Sequence, residues 1–165
     1  MNLAGNPPVI AIIGAGEMGA AVGRRLREAG ARILISLNGR SATSADRIRR
    51  AGLEVVHNDR RLTDGVDYIL SVVPPGAAVE VAERLRIPLR TPRRPLLFVD
   101  CNAIAPTTMR RIERLLEPFL VIDAGIIGGS PLLGSQDPAA GPRFYASGAH
   151  AHRLAALTRT ASISL

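Results

Sequence analysis

The 165-residue chain contains no lysine and no tryptophan, and it has one cysteine, Cys101. A single cysteine excludes an intramolecular disulfide and a cysteine-rich zinc site. Buried cysteines are commonly inert, and no histidine is placed beside Cys101 by the sequence, so it is read as structural. Aromatic residues make up only 3% of the chain, which leaves few platforms for stacking nucleic-acid bases. No apolar run approaches the roughly 20 residues that span a bilayer. The N-terminal MNLAGNPP has no basic stretch followed by an apolar one, so no secretory signal is read. The expectation is a cytoplasmic protein with no membrane partner.

Without lysine, all 21 basic residues are arginines, set against 14 acidic residues for a net charge of +7. They are scattered in pairs such as Arg24-Arg25, Arg49-Arg50, Arg60-Arg61, Arg93-Arg94 and Arg110-Arg111. A nucleic-acid binder concentrates its charge on one face. No nucleic-acid partner is therefore expected. The three histidines, His57, His150 and His152, are read as structural, and no catalytic residue is assigned.

What is present is an alternation of short apolar runs and amphipathic segments, the pattern of parallel βαβ units. Val9–Ile13 is a continuous apolar run, suited to a strand covered on both faces. A helix is expected over 17–29, stopped by Gly30. A second strand (32–37) leads to a helix capped by Ser44 and ended by Gly52. Further strands are expected over 53–57, 68–73, 96–101 and 120–123, with helices over 77–86 and 107–117. A Gly/Pro-rich loop (125–142), a strand over 143–146 and a helix over 150–160 complete the reading. The fold class is α/β: a Rossmann-type, doubly wound, mostly parallel sheet with helices on both faces, in one domain over residues 1–165.

The segment Gly14-Ala-Gly16-Glu17-Met18-Gly19 is a G-x-G-x-x-G that follows a strand and opens a helix. The first glycine permits the tight turn, the second lets backbone approach a pyrophosphate, and the third lets helix and strand pack closely. Amide N–H groups at the helix N-terminus then face the phosphates. At the end of the second strand, about 20 residues on, an NAD site often has an acid that holds the ribose hydroxyls. Here stand Asn38, Gly39, Arg40 and Ser41. The planar donor fork of Arg40 matches a phosphate, and the Ser41 hydroxyl adds a donor. The expected cofactor is NADP. Val73 and Pro74 end the fourth strand, where open α/β sheets place ligands, and border the nicotinamide side. Asn102 follows the fifth strand, with donor and acceptor on one amide to bridge cofactor and substrate.

These motifs, with Asp100-Cys-Asn-Ala-Ile-Ala-Pro106 and Asp123-Ala-Gly-Ile-Ile-Gly-Gly-Ser-Pro131 in one order, resemble the NADP-binding domain of the β-hydroxyacid dehydrogenase superfamily. That superfamily includes 6-phosphogluconate and 3-hydroxyisobutyrate dehydrogenases and the related imine reductases. The resemblance runs from about residue 8 to about 160, and Arg143-Phe-Tyr-Ala-Ser-Gly148 suits the phosphogluconate-dehydrogenase-like branch. It implies an oxidoreductase acting on a small-molecule substrate. Gly128 and Gly129 match a backbone cradle for substrate, and Asn102 stands where hydroxyacid dehydrogenases often have serine. Ile127 takes the place of a serine that commonly precedes the glycine pair. In the family a helical domain follows, which forms the dimer and supplies a general acid–base lysine. This chain ends before such a domain and has no lysine, so a homodimer is expected only if that domain is present. A stand-alone NADP-binding module and a truncated gene fragment are the alternatives.

Overall fold

The computed structural model describes residues 7–90, 96–130, 142–154 and 157. Seven strands form one sheet in the order β3-β2-β1-β4-β5-β6-β7. They are β1 (Val9–Ile13), β2 (Arg32–Ser36), β3 (Glu54–Val56), β4 (Tyr68–Ser71), β5 (Leu97–Asp100), β6 (Leu120–Ile127) and β7 (Arg143–Ser147). The first six are parallel, and β7 runs antiparallel along β6. The Rossmann-type expectation holds, with the strand order reversing between β1 and β4.

The apolar strands bury both faces, so alternate residues serve two cores. On β1, Ile10 and Ile12 join one cluster while Ala11 and Ile13 join the other. The first cluster takes Ala20, Val22 and Leu26 from α1 (Glu17–Glu28) and Ile48 and Ala51 from α2 (Ala42–Ala51). The second takes Leu62 from α3 (Asp59–Thr63), Ala78, Val81 and Leu85 from α4 (Ala78–Leu85), and Ile112 and Leu116 from α5 (Pro106–Leu116). Helices therefore cover both faces of the sheet. Phe98 of β5, fully buried, anchors the second core.

Several boundaries differ from the sequence expectation for identifiable reasons. The cap of α2 is Ser41, whose hydroxyl oxygen accepts the Ser44 N–H at 3.3 Å, so the helix begins at Ala42 rather than after Ser44. The five-residue α3, capped by the Asn58 side chain, is too short to show helical periodicity and is not among the expected helices. β6 continues to Ile127, through the expected loop start at Gly125, because β7 supplies its ladder partners; Gly125 lies opposite Tyr145. Glycine read locally as a loop signal is here a strand residue held by a neighbour. Of the expected terminal helix, 150 and 151 are a turn rather than helix, 152–154 and 157 are helical, and 155–156 and 158–160 lie outside the described residues, as does 131–141 of the expected loop.

One polar network ties the C-terminal ends of β4 and β5 together. The Asn102 side-chain oxygen accepts the Val73 N–H at 2.8 Å, while its amide nitrogen donates to Ser71 Oγ at 3.3 Å and to Asp100 Oδ2 at 3.0 Å. The Asn102 backbone N–H donates to Asp100 Oδ1 at 3.1 Å. Ser71 and Asp100 are fully buried and Asn102 nearly so. Burial pushes the Asp100 carboxyl up from 3.8 to about 6; the two Asn102 donors pull it down, and neighbouring Asp123 adds to the rise.

That shift fixes a sign for the dependence of stability on pH. The unfolded carboxyl ionises near 3.8 and the folded one near 6, so in between the folded state holds more protons. Its contribution to stability is full below the lower value and is lost as pH rises through the upper one. The difference in thermal unfolding between the parent and Asp100→Asn, followed across pH 3.5 to 7, will show this decline, since Asp46 and Glu54, held low by their arginine partners, act in the opposite sense in both proteins. An unchanged slope in the variant would assign the decline to other groups.

Candidate functional site

The turn after β1 lies at the point where the strand order reverses, the position at which open α/β sheets bind ligands. Gly14 has φ +126°, and a Cβ placed on it would lie 1.9 Å from the Val72 carbonyl oxygen at the end of β4. A Cβ on Gly19 would lie 2.0 Å from the Gly14 carbonyl oxygen. The chain's own packing thus requires the first and third glycines of the motif. Gly16 is different. Its φ of −73° suits any residue, and a Cβ there would have nothing within 4 Å.

No internal contact explains the middle glycine. It is the N-cap of α1, exposed, with no side chain capping the helix. The N-terminus of an uncapped helix carries N–H donors and the positive end of the helix dipole. Open space over a glycine at that point fits a diphosphate lying against the backbone. Of the two residues between the second and third glycines, Glu17 is exposed and Met18 is half-buried against the core. Arg47 of α2 donates from Nη1 to the Ala15 carbonyl oxygen at 3.2 Å, bracing the turn and bringing a cation beside it. Sequence does not single out Arg47, because nothing local marks which face of α2 meets the turn.

At the end of β2 the chain turns tightly, with the Arg40 N–H donating to the Leu37 carbonyl at 3.0 Å and Gly39 at φ +70°. Ser36, Asn38 and Arg40 line a cleft together with Gly14. Arg40 is exposed, and among the described residues its guanidinium has no hydrogen-bond or ion-pair partner. Other arginines are committed to surface pairs, such as Arg32 with Glu54 and Arg24 with Glu28. Ser41 serves α2 as its cap, and its hydroxyl also donates to Ser44 Oγ at 3.2 Å. Two further charged residues, Asp59 of α3 and Arg84 of α4, line the same cleft and are not singled out by the sequence. They are joined at 3.0 Å between Arg84 Nε and Asp59 Oδ2.

The remaining residues singled out by sequence lie along the same edge of the sheet. Val73 is half-buried and Pro74 exposed at the end of β4, where a short 3-10 turn (Pro75–Ala77) leads into α4. Asn102 stands beside them with its carboxamide engaged by Val73, Ser71 and Asp100. Its direct contact within the protein is therefore to position the Val73 backbone. Gly128, at φ +120°, and Gly129 follow β6 and are exposed. Three strand steps of about 4.8 Å separate β1 from β6 laterally, and the register carries Gly128 four residues further along the strand direction than Gly14, so the pair lies roughly 20 Å from the glycine turn. The edge thus orders its groups from Arg40 through the glycine turn to Val73, Asn102 and the Gly128-Gly129 pair. Cys101 is buried, and burial together with Asp100 raises its thiol pKa, which keeps it protonated and unreactive. Among the described residues no group of three or more His, Cys, Asp or Glu side chains is placed to hold a metal, and no helix is long and apolar enough to cross a membrane.

The glycines separate packing from binding. Gly16→Ala will shift unfolding by less than about 1 kcal/mol, since its backbone conformation is ordinary and the space is open. It will weaken dinucleotide binding at least about tenfold by titration. Gly19→Ala will cost about 1–3 kcal/mol of stability through the forced displacement. A Gly16→Ala protein that binds as tightly as the parent would remove the diphosphate from this turn.

Similarity to known proteins bears on this geometry. A family model described as the NAD binding domain of 6-phosphogluconate dehydrogenase matches residues 9–152. Protein MTH1747, of unknown function and reported as structurally similar to 3-hydroxyacid dehydrogenases, is 29% identical with a TM-score of 0.76, over 94% of this chain and 55% of its own. The 3-hydroxyisobutyrate dehydrogenase of Mycobacterium tuberculosis, solved with L-serine, is 24% identical with the same TM-score of 0.76, over 96% of this chain and 54% of its own. An uncharacterized 28.5 kDa protein of Methanothermus fervidus is 23% identical over 119 residues, 72% of this chain and 45% of that one. The chain thus spans about half the length of the relatives it matches. By its sheet, its glycine turn and the extent of the match, it belongs to the family of the NAD-binding domain of 6-phosphogluconate dehydrogenase.

Proposed function

We infer that the chain is the cofactor-binding part of an NADP-dependent oxidoreductase that moves hydride to or from a hydroxylated small molecule. The observation that carries the cofactor choice is Arg40, exposed in the cleft and without a partner among the described residues, at the turn where an acid would hold the ribose hydroxyls of NAD. A guanidinium there favours the additional phosphate of NADP through a charge-assisted, bidentate contact. The family membership supports a nicotinamide dinucleotide without choosing between its two forms.

In this reading the bound cofactor supplies the hydride-transferring ring, and the protein supplies binding and orientation. The open face over Gly16 and the uncapped first turn of α1 would hold the diphosphate. Arg47 holds the turn in place through Ala15. Asn102 accepts the Val73 N–H and so fixes the backbone that follows β4, which would border the nicotinamide side of a bound cofactor. The backbone at Gly128 and Gly129 offers amides to the substrate. No side chain of this chain is assigned the proton transfer. With no lysine in the sequence, the chain alone is expected to bind cofactor and to turn over hydroxyacids very poorly.

Titration of the chain with NADPH and NADH tests the cofactor choice. NADPH is expected to bind more tightly, and Arg40→Ala to weaken NADPH by about ten- to a hundredfold, the equivalent of 1.5–3 kcal/mol for one charge-assisted contact. NADH binding will stay within about twofold. Equal loss for both cofactors, or no loss, would take the phosphate away from Arg40.

A further inference from the structure

The cleft at the end of β2 contains a carboxylate after all. Asp59, the first residue of α3, lines it together with Asn38 and Arg40, and Arg84 from α4 lines it as the partner of Asp59. The Asp59 side chain is one-quarter exposed, and its Oδ2 lies 3.0 Å from Arg84 Nε. Deepening the NADP reading above, and resting on it, we propose that Arg84 is a specificity-determining residue: by engaging Asp59 it keeps the cleft selective for a 2′-phosphate over a 2′-hydroxyl.

A free carboxylate in this cleft would act in two ways, both against NADP. It would accept hydrogen bonds from ribose hydroxyls, the task of the acid that the β2 turn lacks. It would also repel the phosphate that Arg40 attracts, since like charges in a partly desolvated cleft are poorly screened. With Arg84 engaged, the three charged groups carry a net single positive charge. Without it, Asp59 would offset Arg40 and the net charge would fall to zero. The pair is built from two separate helices, each held by its own buried residue: Leu62 of α3 and Leu85 of α4 both belong to the second core. Arg84 is 41% exposed at its side chain, so its replacement leaves the core intact.

The test measures the ratio of NADPH to NADH dissociation constants for the full chain and four variants. The ratio cancels any general loss of folded protein, and circular dichroism on the same samples checks the fold. Arg84→Met is expected to reduce the preference for NADPH by about tenfold or more, with part of the change appearing as tighter NADH binding. Arg84→Lys, which keeps the charge beside Asp59, is expected to retain most of the preference. Asp59→Asn is expected to keep or raise it, and the double variant Arg84→Met with Asp59→Asn is expected to restore it. Restoration of the ratio is the decisive arm, because a merely structural effect of Arg84 weakens both cofactors alike and leaves the ratio unmoved in the single and the double variant.

An unchanged ratio in Arg84→Met, or a double variant no better than the single one, overturns the proposal. If the parent chain prefers NADPH and Arg40→Ala removes that preference while Arg84→Met does not, this inference falls and the NADP reading stands. If the parent shows no preference for NADPH, both fall together.

Discussion

The Val72 carbonyl oxygen occupies the space in which any side chain on Gly14 would have to sit. That contact brings the ends of β1 and β4 together at the place where the sheet's winding reverses, and it dictates the path of the next few residues. The chain must leave β1 through a positive-φ residue and begin α1 almost at once. The third glycine then lets the helix settle onto the turn, 2.0 Å being the gap between its missing Cβ and the Gly14 carbonyl. With both ends of the motif consumed by packing, the uncapped first turn of α1 and the unobstructed Gly16 are left facing outward. Binding capacity here is a by-product of close packing on either side of one residue.

The neighbouring strand ends are fixed by a different means. Asn102 uses both atoms of its amide within the protein and so transmits the position of β5 to the Val73 backbone. A buried network of this kind is stable only when each member is satisfied, and Asp100 is the demanding partner, with burial pushing its carboxyl up to about 6. Charge toward solvent is handled in another way. The surface pairs Arg24–Glu28, Arg32–Glu54 and Arg111–Glu83 are exposed, of a kind that contributes little each. Arg40, placed in a cleft and left without an internal partner among the described residues, stands apart from them. The edge of the sheet therefore combines exposed backbone donors at the start of α1 with a guanidinium that has no partner among the described residues.

Much of this is legible in the sequence, and the division between what is and is not has a physical basis. β1 is readable to the residue because an apolar run bounded by Pro8 and Gly14 leaves little choice of ends. Gly14, Gly16 and Gly19 are readable because turn, approach and packing are local demands with fixed spacing. Arg40 is readable because its distance from the motif is set by one helix and one strand. By contrast, sequence alone ends β6 before Gly125, since only the antiparallel pairing with β7 reveals that this glycine belongs to a ladder. Arg47 and the Asp59–Arg84 pair are products of helix packing between separate units, and no local pattern announces them. Asn102 is legible as a position but not in its bonding: its commitment to Val73, Ser71 and Asp100 comes from strand register.

Cofactor binding here comes down to where one molecule lies along one edge of the sheet, and a crystal structure of the chain with oxidised NADP bound addresses that most directly. The expected complex has the diphosphate over the Gly16 backbone at the start of α1 and the 2′-phosphate against the Arg40 guanidinium. A cofactor lying away from the glycine turn, or a bound cofactor with Arg40 pointing into bulk solvent, would contradict it.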